Sequence, residues 1–342
     1  MKLVSFKNNS GEERTGLFVN NHAIDLADSA KKLSFSLPTD MNKFLEGGDK
    51  LMDMARKVER ALIEEKLDIS ASAKQVALAP VPHPPSCRDA YAFRQHVATA
   101  RRNRGAEMIP EFDQYPVFYF TNHNAIFGEG DIIVESDHLQ QLDFELEAAI
   151  VIGKRGKNIS SDKSDEYIAG YTIMNDFSAR VLQMEEMKLN LGPAKGKDFA
   201  TAIGPWLVTP DELNNYITET EFGNKYNLRM TAVHNGKQIS DGNLSDMNWT
   251  FAEIIERASY GVELFPGDVF GSGTVGTGCY LELNGTKALE AKQKGETYSA
   301  VWLQAGDTIE LSITGLGTLK NKIVKAKGER SILAKKKLAV KT

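Results

Sequence analysis

The segment Asp143-Phe-Glu-Leu-Glu147, followed at once by AAIVIG, constrains this chain more than any other. Side chains alternate across a strand, so Asp143, Glu145 and Glu147 share one face, and Ala149 and Val151 continue it. That apolar continuation marks the acidic face as a buried one. A buried, unpaired carboxylate costs several kcal/mol even after relaxation, so the fold has to supply a cation, a proton or arginine partners. Glu145 and Glu147, with Cα atoms about 6.6 Å apart in a strand, can lean onto one divalent ion. The spacing alone leaves an exposed edge strand with solvated acids open, and acids elsewhere have to decide.

At 342 residues the chain can bury a large core in about two domains. A net charge of -5 argues against a general nucleic-acid binder, and the short basic run Arg101 to Arg104 suits one small anion better than a duplex. The two cysteines, Cys87 and Cys279, form no CxxC motif and no disulfide framework, which fits a reducing compartment. The leading MKLVSFKNNSGEERTG lacks the apolar run of a signal peptide, and no window approaches the ~20 apolar residues of a membrane span. A cytoplasmic protein with no membrane or nucleic-acid partner is expected.

LVSFKN and TGLFVNNHAIDL read as strands, the second a hairpin turning over Asn20 and Asn21. DMNKFLEGG and DKLMDMARKVERALIEEK read as helices, the latter with Leu51, Met54, Val58 and Leu62 on one face. Pro80, Pro82, Pro84 and Pro85 forbid helix and discourage a central strand, so ALAPVPHPPSCRD reads as a stiff linker. This divides the chain into a small α+β domain over residues 1–79, a larger domain over 80–330 and a basic tail over 331–342, ending in a solvated KKKLAVKT. Beyond the prolines strands dominate, among them DFELEAAIVIG as one strand and YLELNG as another. A Gly-Asp pair precedes an apolar strand at Gly130, Gly267 and Gly306, and each pair reads as a turn. The fold class is α+β, rich in β.

YTIMNDFSARVLQMEEMK changes period in the middle, from a buried strand to a helix with Arg180, Gln183 and Met187 at helical spacing. Asp176 therefore sits at a junction where it can cap the helix or ligate an ion. Asp89 and His96 stand seven residues apart in DAYAFRQH. The glycine-rich GPAKGKDFATAIGPW is not a phosphate loop, because Asp198 stands where Ser or Thr would bind magnesium. It can still present Lys197 to a small oxyanion.

Five motifs in one order, the D-x6-H of DAYAFRQH, DFELE, NDFSAR-x-x-Q, GPAKGK, and GSGT followed by LEL, resemble the fumarylacetoacetate hydrolase family over Asp89 to Glu282. TGLFVNNHAIDL is similar to that family's leading domain. The resemblance implies a mixed β-sandwich roll and a homodimer. It implies that Asp89, Glu145, Glu147 and Asp176 hold one divalent cation, while Asp143 matches the motif without being a ligand. It implies that His96 is a general base oriented by Glu282, with Arg180, Gln183 and Lys197 around the reacting oxygens. Tyr119, Thr274 and Arg104, the last through a one-residue gap, would bind the substrate. Oxygen-only ligands favour Mg²⁺, then Mn²⁺ or Ca²⁺, over zinc. As a residue of the strand-like YLELNG taken alone, Glu282 would face solvent.

The implied activity is metal-dependent hydrolysis of a carbon–carbon bond in a small 1,3-diketo acid. Fumarylacetoacetate, in the breakdown of tyrosine or other aromatic compounds, is the first choice. Acylpyruvate hydrolysis and β-keto acid decarboxylation are the alternatives. A metal-stabilised module without catalysis would need none of His96, Lys197 and Glu282. Met187 stands where fumarylacetoacetase proper is expected to carry a tyrosine; a thioether packs an apolar group but donates no hydrogen bond.

Overall fold

The computed structural model describes residues 1–67 and 76–334. The KKKLAVKT end lies outside the described residues, whereas the backbone just before it is tied down: Asp137 accepts hydrogen bonds from Ser331 Oγ at 2.7 Å and from the Ile332 N–H at 2.6 Å.

Two sheets carry the fold. The larger runs, in spatial order, through His22–Asp25, Glu13–Val19, Lys2–Lys7, Thr201–Val208, Ile168–Asp176, Leu146–Ile152, Val269–Gly271, Cys87–Ala90 and Phe118–Thr121. The smaller runs through Lys237–Asn243, Arg229–His234, Thr308–Ile313, Gly317–Lys325 and Gly130–Val134. Their facing sides bury Ile150, Ile173 and Val208 against Met230, Leu311 and Leu319, the arrangement of a sandwich. This is the strand-rich mixed fold that the sequence implies.

The hairpin turns over Asn20 and Asn21, at φ 50° and 63°, as such a two-residue turn requires. Its partner strand, Lys2–Lys7, adds to the edge of the large sheet, with Leu3 opposite Leu207, so the sheet runs from the leading residues across the position of the prolines. Helix Gly48–Ile63 then covers the far side of that sheet. Its Ala55, Val58 and Leu62 share a core with Ala149, Val151 and Ile203, while Leu51 and Met54 pack at the margin of that core. The central strands are thus covered on both faces, which is why they read as unbroken apolar runs. The glycines of the three Gly-Asp turns all have positive φ, at 122°, 93° and 97°.

Two segments differ from expectation. DFELEAAIVIG is not one strand: Leu142–Asp143 pairs with Ser178–Ala179, the chain leaves the sheet at Phe144 and Glu145, and Leu146–Ile152 resumes pairing. The break is satisfied by side chains, since the Asp143 carboxylate accepts the Phe144 N–H at 2.9 Å and Asn175 Oδ1 accepts the Glu145 N–H at 3.0 Å. YLELNG is not a strand either. It opens the helix Tyr280–Gln293, because Asp143 accepts the N–H groups of Tyr280 and Leu281 at 2.7 and 2.9 Å and caps it from a distant element.

Candidate active site

The four acids expected to hold a cation lie on strands of the large sheet or directly beside them. Asp89 sits on the strand Cys87–Ala90, beside Gly271 in parallel register. Glu147 lies at the head of the strand Leu146–Ile152, Glu145 in the break before it, and Asp176 at the end of Ile168–Asp176. These strand ends, with Val269–Gly271 between Leu146–Ile152 and Cys87–Ala90, bring the four carboxylates together, each at most 4% exposed, with one oxygen from each lying within 4.8 Å of all the others.

Asp176 does not cap the helix Arg180–Met187, whose first residue lies beyond an intervening strand pair. Its Oδ2 accepts Lys197 Nζ at 2.7 Å and the Tyr119 hydroxyl, whereas its buried Oδ1 has no partner among the described residues. Glu145 accepts Arg180 Nη2 at 2.7 Å and also pairs with Lys197. Glu147 and Asp89 share a single donor, the Gly273 N–H, at 3.1 Å from each. Thr274 Oγ1 reaches Glu147 at 3.4 Å.

Burial and this uneven pairing separate the four acids. Burial opposes ionisation of Glu145, but the Lys197 and Arg180 cations overcome it and hold the carboxyl down at about 2. Asp89, buried and facing Asp176, is pushed up to about 7. Burial and then the Asp89 charge push Glu147 well above the carboxylate range. Burial works against the Lys197 ammonium too, yet Asp176 and Glu145 raise it above the ordinary lysine value, so it stays charged. Negative charge in excess of the local cations, oxygen-only donors converging on one point and an orphaned Asp176 Oδ1 together fit a hard divalent cation.

The second group is His96 with Glu282. His96 lies on the helix Arg94–Arg102 and Glu282 in the first turn of Tyr280–Gln293, both buried, with Nδ1 and Oε2 2.8 Å apart. Glu282 is therefore an inward residue, contrary to its reading as a solvent-facing one. When Nδ1–H donates to this carboxylate, Nε2 is left as the basic nitrogen. Tyr91 meets the imidazole edge-on, with ring centroids 6.0 Å apart.

A cavity of about 320 Å³ joins the two groups; Asp89, Glu145, His96, Arg180 and Lys197 all line it. Gln183 lines it as well, its Oε1 held by Arg180 Nη1 at 2.9 Å. Arg104 and Met187 stand at its exposed margin. Arg104 Nε donates to the Ala100 carbonyl at 3.1 Å. Tyr119, expected to bind the substrate, lines the cavity and donates its hydroxyl to Asp176 on the floor of the acidic cluster.

Sequence reasoning missed three contributors. Asp143 holds Arg180 Nε at 2.9 Å while capping the helix that carries Glu282, so one buried carboxylate sets two walls of the cavity. Asn175 fixes the break that aims Glu145. Gly271 leaves the space the acids occupy: a Cβ there would lie 2.6 Å from Asp89 Oδ1 and 2.8 Å from Glu147 Oε2. The motifs DFELE, NDFSAR and GSGT contain all three, but their partners are distant in sequence.

A sandwich that buries four carboxylates around one point, beside a histidine–glutamate pair, defines a class of metal-using enzymes. The chain belongs to the fumarylacetoacetate hydrolase family, whose C-terminal domain model matches residues 86–324. Members of this family generally use a divalent metal, and they include hydrolases and isomerases or tautomerases. The oxaloacetate tautomerase YisK of Bacillus subtilis is 31% identical over 320 residues, covering 90% of this chain and 95% of its own. Two solved structures share the fold. The fumarylacetoacetate hydrolase of Exiguobacterium antarcticum matches with a TM-score of 0.65 at 24% identity, over 95% of this chain and 100% of that one. The maleylpyruvate hydrolase of Sphingobium sp. SYK-6 matches with a TM-score of 0.66 at 19% identity, over the same shares. Among the described residues no helix is long and apolar enough to cross a membrane.

Proposed function

We propose that this protein catalyses proton transfer at the carbon next to the carbonyl of a small 2-oxo acid, with keto–enol tautomerisation of oxaloacetate as its reaction. One observation carries the reading: the His96–Glu282 pair opens onto the same cavity as the carboxylate cluster. The full-length similarity to an oxaloacetate tautomerase supports it.

Asp89, Glu145, Glu147 and Asp176 would hold a divalent cation, Mg²⁺ by preference for oxygen ligands, which supplies polarisation of the 2-oxo group. His96 Nε2 takes the proton from C3, and Glu282 stabilises the imidazolium through Nδ1–H. The electron pair of the broken C–H bond moves toward the carbonyl oxygen, and the proton returns there to give the enol; the reverse path regenerates the ketone. Gln183, oriented through its Oε1 by Arg180, keeps its Nε2 as a donor to a substrate oxygen. Lys197 and Arg180 act through Glu145, holding it ionised. Arg104 binds a carboxylate at the cavity margin.

A second reading, hydrolysis of a carbon–carbon bond in a diketo acid such as fumarylacetoacetate or an acylpyruvate, is favoured by the size of the cavity. Its 320 Å³ corresponds to roughly ten water molecules, more than a four-carbon acid requires. Val117, Phe118, Met184 and Met187 offer a longer acid an apolar flank. Here His96 would take its proton from water instead of carbon.

Decay of the ultraviolet absorbance of enol-oxaloacetate decides between these, alongside loss of the diketone absorbance of fumarylacetoacetate and an acylpyruvate. Under the first reading, Mg²⁺-loaded protein accelerates enol decay, chelator abolishes the effect and His96→Gln lowers kcat about 10²–10⁴-fold. Turnover of a diketo acid without enol decay overturns that reading in favour of hydrolysis. Release of carbon dioxide from oxaloacetate, surviving His96→Gln, overturns both in favour of decarboxylation.

A further inference from the structure

A groove of about 350 Å³ leads away from the site cavity along the helix Tyr280–Gln293. It shares Ala100, Arg104, Arg180, Met184 and Leu281 with that cavity, so the two spaces adjoin along these residues. Beyond them its walls include Ala288, Ala300 and Trp302.

The polar groups along this groove are largely spent. Asn284 Oδ1 accepts the Tyr298 hydroxyl at 2.9 Å and the Val301 N–H at 2.9 Å, and its Nδ2 donates to the Val301 carbonyl at 2.8 Å. The Arg180 guanidinium is committed to Asp143, Glu145 and Gln183. What the described residues leave for a ligand is mostly hydrocarbon and aromatic surface, with Arg104 at the entrance and Asn103 Oδ1, which has no partner among them, in the wall. The small side chains of Ala288 and Ala300, both exposed to solvent, keep the groove open.

We propose that this groove is a distal subsite for the hydrocarbon arm of a 2-oxo acid whose carbonyl end lies at the carboxylate cluster. The inference rests on the 2-oxo acid reading of the site and adds to oxaloacetate a second substrate class within it: acids longer than four carbons, with an apolar distal arm. The residues shared with the cavity point to the occupant, because a chain held at the 2-oxo end would extend past Arg104 and Met184 toward the groove. Each methylene buried there contributes roughly fourfold in affinity.

The test is calorimetric binding of pyruvate, 2-oxohexanoate and 2-oxooctanoate to the full chain in excess Mg²⁺, comparing wild type with Ala288→Trp and Ala300→Trp. Both substitutions fill the groove from solvent-exposed positions. In the wild type, affinity rises about tenfold or more from pyruvate to 2-oxooctanoate. In both tryptophan variants that ratio collapses toward unity. A wild-type ratio near unity, or a ratio that neither tryptophan reduces, overturns the subsite and leaves the reading of the site intact. Failure of the wild type to bind any of the three acids also overturns the subsite, whereas the site reading falls only with the enol-oxaloacetate assay.

Discussion

Lys197 decides what its carboxylate neighbours can do. Its ammonium reaches Asp176 at 2.7 Å and Glu145 as well, so one cation serves two acids that burial would otherwise discharge. Lys197→Met keeps the bulk and removes the charge. In metal-free protein this change lowers stability by about 3–5 kcal/mol, the cost of leaving buried charges uncompensated; denaturant unfolding measures it. Addition of Mg²⁺ recovers part of that loss, since the ion replaces the missing cation, and a loss unchanged by Mg²⁺ would count against a cation site. At this scale the sequence was informative about donors and silent about their pairing. The three acids of DFELE, Asp89 with His96, and Asp176 at its junction were legible as chemistry-bearing residues. The sharing of Lys197, and the diversion of the Tyr119 hydroxyl to Asp176, depend on strands far apart in the chain.

Among the elements, the helix Tyr280–Gln293 and the turn before it were the hardest to read. Alternating Leu281 and Leu283 imitate a strand, and the helix has no capping side chain of its own. Its cap arrives from Asp143, more than a hundred residues earlier, and local periodicity cannot register that. The hairpin and the helix Gly48–Ile63, whose signals are local, were legible throughout. The GSGT turn shows the same asymmetry: its motif is readable, its reason is not. A Cβ at Gly271 would collide with both Asp89 and Glu147, 2.6 and 2.8 Å away. Gly271→Ala therefore forces two of the proposed ligands aside and is expected to weaken Mg²⁺ binding about 10–100-fold by calorimetry, with secondary structure retained by circular dichroism.

For the molecule as a whole, the acidic cluster couples stability to pH. In the folded, metal-free protein Asp89 keeps its proton up to about pH 7, whereas the ordinary value is 3.8. The folded chain binds more protons than the unfolded chain across that window. The corresponding stability is fully present below the lower value and is lost as pH rises through the upper one. The Tm of chelator-treated protein falls from pH 5 to pH 8 through this group, while the increase produced by Mg²⁺ grows over the same range, because the ion displaces protons as it binds. Scanning calorimetry with and without chelator reads both trends; an increase independent of pH would refute the linkage.

The strand Leu146–Ile152 has its Ala149 and Val151 under the leading helices and its Glu147 in the acidic cluster, all on one face. Adaptation of this protein to a new temperature is therefore not free to proceed in its core alone. A substitution that repacks Ala149 or Val151 against Val58 is transmitted along a few ångströms of backbone to Glu147, one of the four acids proposed to hold the cation. Heat tolerance and metal affinity are in this way inherited together, and a lineage that changes one has to re-tune the other.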